Sequence, residues 1–105
     1  MSASAPTRDQ TIQRLRAAES EIRQLGVRRL ALFGSVARGE ARPGSDVEIL
    51  VEFASGEKRF ARLMALSDLL ERIVEHRVEL VTIEALSPFI GPHILAEAAD
   101  VLRAA

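Results

Sequence analysis

Asp46 and Glu48 stand two residues apart at the head of an alternating run that continues to Phe53. Side chains two positions apart on a strand share a face, with Cα atoms about 6.5 Å apart, so the two carboxylates can converge. Converging carboxylates repel one another unless a cation lies between them. Hard oxygen donors of this kind suit Mg²⁺, which commonly takes one or two carboxylates together with substrate phosphates and water. Two structural accounts compete. Ser45-x-x-Glu48 has the spacing of a helix capping box, and acids beside Glu52 can simply face water. The β-type alternation weakens the first and leaves the second open. Glu79, set between Val78 and Leu80 in an otherwise apolar run, is a third acid in strand context. It calls for a partner or an open site, or else for a solvated edge-strand position.

Upstream, Phe33-Gly34-Ser35 ends one apolar run and leads into Val36-Ala37-Arg38, the pattern of a strand that stops at Gly-Ser and enters a helix. Such a junction brings together free backbone N–H groups, the positive end of a helix dipole and a hydroxyl, which suits a phosphate. The plainer reading makes Ser35 the N-cap of an ordinary helix. His76 and His93 have neither the neighbours nor the spacing of metal ligands and read as structural or surface residues. Ser67-Asp68 falls in a helical pattern, on its solvated face.

The elements that must position these residues follow from periodicity. Thr7 and Gln10 have capping-box spacing, and Ile12, Leu15, Ala18, Ile22 and Leu25 recur at helical intervals, predicting one helix that stops at Gly26. The short run from Arg29 through Leu30-Ala31-Leu32-Phe33 reads as a strand covered on both faces. After a polar stretch with Pro43-Gly44, the alternation from Asp46 puts Val47, Ile49, Val51 and Phe53 on one face and Asp46, Glu48, Leu50 and Glu52 on the other. A turn at Ser55-Gly56 precedes a helix carrying Phe60, Leu63, Met64, Leu70, Ile73 and Val74 at helical spacing. Val78 to Thr82 predicts a third strand, and Pro88 and Pro92 punctuate a short segment before a final helix, His93 to Leu102.

A chain of 105 residues without internal repeat or linker predicts a single domain, residues 1–105, with residues 1–6 as a flexible tail. Only 4% of residues are aromatic against 48% hydrophobic, so the core must be built from Ala, Leu, Ile and Val. Fourteen basic residues against fifteen acidic ones leave a formal charge of −1, too little field to hold a polyanion, which argues against direct nucleic-acid binding. The absence of cysteine excludes a disulfide framework and thiolate metal sites. No run approaches the roughly 18 apolar residues of a membrane span, and the N-terminus has no apolar signal core, so the cytoplasm is the default location.

Taken together, Gly34-Ser35, ten intervening residues, Asp46-x-Glu48 and the later strand acid Glu79 resemble the signature of the polymerase-β-type nucleotidyltransferase superfamily. Phe33-Gly34-Ser35-Val36-Ala37-Arg38-Gly39-Glu40 followed by Ser45-Asp46 is similar to its small members, the minimal nucleotidyltransferases or MntA-like proteins. The likeness continues through Val78-Glu79-Leu80-Val81-Thr82 and Ala85-Leu86-Ser87-Pro88. It implies an α/β fold of the α+β type, a small mixed sheet flanked by helices. By the resemblance, Gly34 and Ser35 hold the triphosphate of ATP, with Arg38, Arg42 and Ser45 beside it. Asp46, Glu48 and Glu79 are the implied catalytic carboxylates and Mg²⁺ ligands of a two-metal site, Glu79 also assisting deprotonation of the acceptor hydroxyl.

The family pattern usually carries Asp where this chain has Glu48 and Glu79, and each change moves a carboxylate by one methylene in a site that tolerates errors of about 0.5 Å. Larger members add an acceptor-binding domain, so here the resemblance implies an acceptor from elsewhere, a helical HEPN-domain toxin that the antitoxin adenylylates on a hydroxyl. The competing expectation is a catalytically impaired pseudoenzyme that neutralises its partner by contact alone. A small-molecule nucleotidyltransferase acting on an antibiotic is a third, and homo-oligomers stay open.

Overall fold

A computed structural model describes residues 4–54 and 59–103. The turn expected at Ser55-Gly56 and the first half of the expected N-terminal tail lie outside the described residues. In chain order the elements are α1 (Arg8–Ala17), α2 (Glu19–Gln24), β1 (Val27–Phe33), α3 (Gly34–Arg38), β2 (Val47–Phe53), α4 (Arg59–Val74), β3 (Val78–Thr82), a 3₁₀ turn (Ile83–Ala85), α5 (Gly91–Glu97) and β4 (Ala99–Leu102). The strands form one mixed sheet in the order β3-β2-β1-β4. β1 is antiparallel to β2 and β4, and β2 is parallel to β3 across the α4 crossover. This is the small mixed sheet flanked by helices that the resemblance implies.

Strand alternation divides the interior into two unequal layers. Val47, Ile49, Val51 and Phe53 of β2 join Leu30 and Leu32 of β1 against Leu15, Ile22, Leu66, Leu70 and Val74 of the helices. On the other face Ala31, Phe33 and Leu50 form a smaller layer beneath Val81, Ile83, Leu86 and Ile94. Glu48 shares that second face, one alternation step from Leu50, and is only half-buried. Glu48 therefore lies beside the junction of β1 and α3, at the end of the thinner layer. Among the described residues no helix is long and apolar enough to cross a membrane.

Two expected helices are corrected. The N-terminal helix is two: Ala18 leaves helical geometry at φ −103° and ψ 18°, and its N–H turns to the Leu15 carbonyl at 3.1 Å. Periodicity cannot register this break because Leu15 and Ile22, seven residues apart, are both buried on the same side. The predicted helix His93 to Leu102 stops at Glu97, Ala98 is extended, and Ala99–Leu102 is a strand. Pairing Leu30 with Leu102 and Leu32 with Ala99 covers the free edge of β1 and buries Val101 and Leu102, a gain that outweighs the helix preference of Ala and Leu. Arginines from the N-terminal helices then cover carbonyls of the new edge: Arg16 donates to Val101 O at 3.3 Å and Arg23 to Arg103 O at 2.9 Å.

Candidate active site

β1 hands over to α3 at Gly34, and two observations require glycine there. Its φ is +75°, the left-handed region that L side chains rarely adopt, and a Cβ on it would run into the Glu48 carboxylate. The N-cap of α3 is Phe33, with no side-chain cap, so the reading of Ser35 as an ordinary N-cap does not hold. Ser35 lies within the first turn, and its backbone N–H donates to the Glu48 carboxylate. At the far end of α3, Gly39 and Glu40 close the helix onto Val36 O and Ser35 O at 3.1 and 2.8 Å.

Register sets the acids. Glu48 lies opposite Phe33 on β1 and opposite Glu79 on β3, so a single strand position faces both the Gly-Ser turn and the third acid. Burial raises the Glu48 carboxyl above the ordinary carboxylate range, and the Glu79 charge adds to the rise. The Ser35 N–H and Arg38 pull the other way, while Glu97 pushes up again. Glu79 is exposed on edge strand β3, and Asp46, just ahead of β2, is 4.0 Å from Arg77 Nε with its side chain 41% exposed. Among the described residues no three acids or histidines come together closely enough to hold a metal ion. The donor chemistry nonetheless fits a hard divalent cation, because all three side chains offer oxygen and the Glu48–Glu79 repulsion is what such a cation relieves.

Arg42, Pro43, Gly44 and Ser45 form the turn that delivers Asp46 to β2. The Ser45 N–H donates to Arg42 O at 2.9 Å, and the Ser45 hydroxyl accepts the Arg42 N–H at 2.9 Å. With Pro43 second and Gly44 third at φ +87°, the sequence matches a type II turn. Ser45 thus braces this turn, and Arg42 is exposed within it.

Glu97, which the sequence reading did not single out, completes the cluster. Its Oε1 accepts the Gly34 N–H at 3.0 Å, and Arg38 Nη1 reaches Oε1 and Oε2 at 3.2 and 3.3 Å. Arg38 also donates through Nε to Glu40 at 2.9 Å. The hydrogen bond to Glu40 does most to raise the guanidinium above its already high pKa; desolvation opposes it, and Glu97 adds to the rise. A lone glutamate among alanines in a helical stretch gives no local signal. Only the unforeseen stop after Glu97 and the turn into β4 bring it to Gly34.

The nucleotidyltransferase domain family model matches residues 14–101. A Methanocaldococcus jannaschii relative named "Putative protein adenylyltransferase" is 42% identical over 77 residues, which span 73% of this chain and 82% of that protein. "Protein adenylyltransferase MntA" of Thermococcus cleftensis is 38% identical over 84 residues, 79% of this chain and 84% of that protein. The solved structure of a "putative minimal nucleotidyltransferase" superposes with a TM-score of 0.77 at 33% identity, covering 89% of this chain and 94% of the other. A structure of a tri-AMPylated Shewanella oneidensis HEPN toxin in complex with MNT antitoxin shares the fold, with a TM-score of 0.62 at 17% identity over 88% of this chain and 72% of that one. With the family model spanning most of its length and relatives about two-fifths identical over more than two thirds of it, the chain belongs to the nucleotidyltransferase domain family, as one of its minimal nucleotidyltransferases.

Proposed function

We propose that this chain is a cytoplasmic antitoxin that transfers AMP from ATP to a hydroxyl of a HEPN-type toxin. The observation that carries the reading is the packing of the Glu48 carboxylate against the Gly34-Ser35 turn, beside the Ser35 backbone N–H, with Glu79 opposite it on the next strand. Further support comes from the MntA relative, and from the fold shared with an antitoxin seen beside an AMPylated HEPN toxin.

In this reading the Gly34 and Ser35 amides and Arg38 bind the triphosphate, and the Arg42–Ser45 turn holds Asp46 beside it. Mg²⁺ held by Asp46, Glu48 and Glu79 would neutralise charge on the attacking and leaving oxygens. The acceptor hydroxyl oxygen bonds to the α-phosphorus of ATP, the bond from that phosphorus to the pyrophosphate bridging oxygen breaks, and the hydroxyl proton passes to Glu79. AMP-ester and pyrophosphate are the products.

The test is to purify the chain with the protein encoded beside its gene, add ATP and Mg²⁺, and follow the partner's intact mass. Addition of AMP units that disappears in Asp46→Asn supports the reading. A partner that is bound and neutralised yet never gains AMP would replace the enzyme with neutralisation by contact. Equal ATP affinity with Mg²⁺ and with a chelator would remove the metal-dependent site.

A further inference from the structure

We infer that Glu97 is a built-in occupant of the phosphate subsite, an internal carboxylate that a triphosphate must displace before it can use the Gly34 amide and Arg38. The inference rests on the nucleotide reading above and adds an order of events at the turn. An amide N–H and a guanidinium pointing at one place are the donors that an anion takes. In this structure they already hold one, brought from the far end of the chain: Glu97 Oε1 lies 3.0 Å from Gly34 N, and Arg38 Nη1 lies 3.2 and 3.3 Å from the two carboxylate oxygens. Gly34 has a single N–H, so Glu97 and a phosphate oxygen cannot both accept it well.

The contact is built to exchange. The Glu97 side chain is 36% exposed and reachable by a ligand. The fold does not depend on it, because α5 is anchored by Ile94 and Ala98 in the apolar layer against Ala31, Phe33 and Leu50. Arg38 stays oriented when Glu97 leaves, since Glu40 holds Nε at 2.9 Å while Glu97 uses Nη1. Glu97 also adds to the negative charge around Glu48, which opposes an incoming phosphate until the side chain swings out.

The experiment is calorimetric titration of ATP with Mg²⁺ into the full chain and into Glu97→Gln and Glu40→Gln. Both substitutions remove one negative charge that pairs with Arg38, but only Glu97 touches Gly34. The Gly34 amide resonance, assigned without nucleotide, reports whether the contact is broken while the remaining amides report an intact fold. Expected is a Gly34 shift and a roughly threefold to tenfold tighter Kd in Glu97→Gln, the scale of one half-exposed ion pair, with Glu40→Gln no tighter than the native chain. Equal or weaker binding by Glu97→Gln overturns the inference and makes Glu97 a positioning residue for the turn. Equal tightening in both variants overturns it in favour of bulk charge. Absence of binding in all three at millimolar ATP fails the nucleotide reading itself and takes the inference with it.

Discussion

Replacing Gly34 with alanine should be among the most damaging single changes in this chain, and its cost can be divided into two parts. The left-handed φ of +75° charges any L residue about 1–2 kcal/mol. The added Cβ also meets the Glu48 carboxylate, which must leave the Ser35 N–H it accepts. Losing a hydrogen bond to a charged group costs about 1.5–3 kcal/mol, discounted toward the lower end because Glu48 is only half-buried. The sum is about 2–4 kcal/mol, or a fall in Tm of roughly 10–30 °C for a domain of this size. Gly39→Ala is the internal control: its φ is +74°, but nothing lies within 4 Å of the added Cβ, so it pays the strain alone. Thermal and urea unfolding by circular dichroism measure both. A third background separates the parts, because with Glu48→Ala in place the cost of Gly34→Ala should fall to that of Gly39→Ala. If Gly34→Ala and Gly39→Ala cost the same in the native background, the turn and Glu48 are not in the contact described and the reasoning fails.

Glu75 sits in the left-handed region at φ 59° just after α4, so Glu75→Gly should stabilise by about 0.5–1 kcal/mol despite losing a 3.7 Å pairing with Arg14, and an unchanged or lower urea midpoint would contradict this. Because burial and Glu79 raise the Glu48 carboxyl in the folded state, its ionised form costs stability above that raised value, and the cost is relieved as pH falls through it toward the unfolded range. Glu48→Gln in chelator should therefore raise stability near pH 7 by up to about 1 kcal/mol, the scale of one like-charge pair, and the advantage should vanish below about pH 4; a constant offset across pH would refute the assignment. Asp46→Asn should leave Tm within a few degrees, since its ion pair among the described residues is a 4.0 Å surface contact, while abolishing any rise in Tm that ATP with Mg²⁺ gives the native chain.

Much of this fold could be read from the chain because the signals were redundant. Val47, Ile49, Val51 and Phe53 alternate in sequence and are buried on one face, Thr7 caps α1 through Gln10 N–H at 3.3 Å, and Gly26 ends α2. The Gly34–Ser35 turn was legible for a different reason, since it lies where strand and turn geometry alone would put it, whereas the periodicity paired Glu48 with Asp46 and only the sheet register sets it against Glu79. β4 was not legible. Ala99-Asp100-Val101-Leu102 continues an Ala-rich helical pattern, and only the unpaired edge of β1, a tertiary fact, makes it a strand. Glu97 was hidden by the same error, because a residue four positions into an expected helix has no reason to reach Gly34. A missed strand therefore cost a residue of the site as well as an element of the fold.

The two glutamates that stand where the resemblance implies aspartates are not equivalent. Glu48 uses its length: its carboxylate extends from the central strand to the Ser35 N–H and fills the space above Gly34, where aspartate would fall short by about one methylene, or roughly 1 Å or more. Glu79 stands exposed on the edge strand, and its extra methylene meets no comparable constraint. Without ligand, both amides of the Gly-Ser turn carry carboxylates, Glu97 on Gly34 and Glu48 on Ser35, and the two acids repel each other across it. Such a turn has its hydrogen bonds satisfied but its charge unbalanced. A nucleotide triphosphate arriving with a divalent cation removes that imbalance, whereas the triphosphate alone deepens it. On the proposed reading, a metal requirement would follow from the charges already gathered at the turn, before any role in the chemical step is considered.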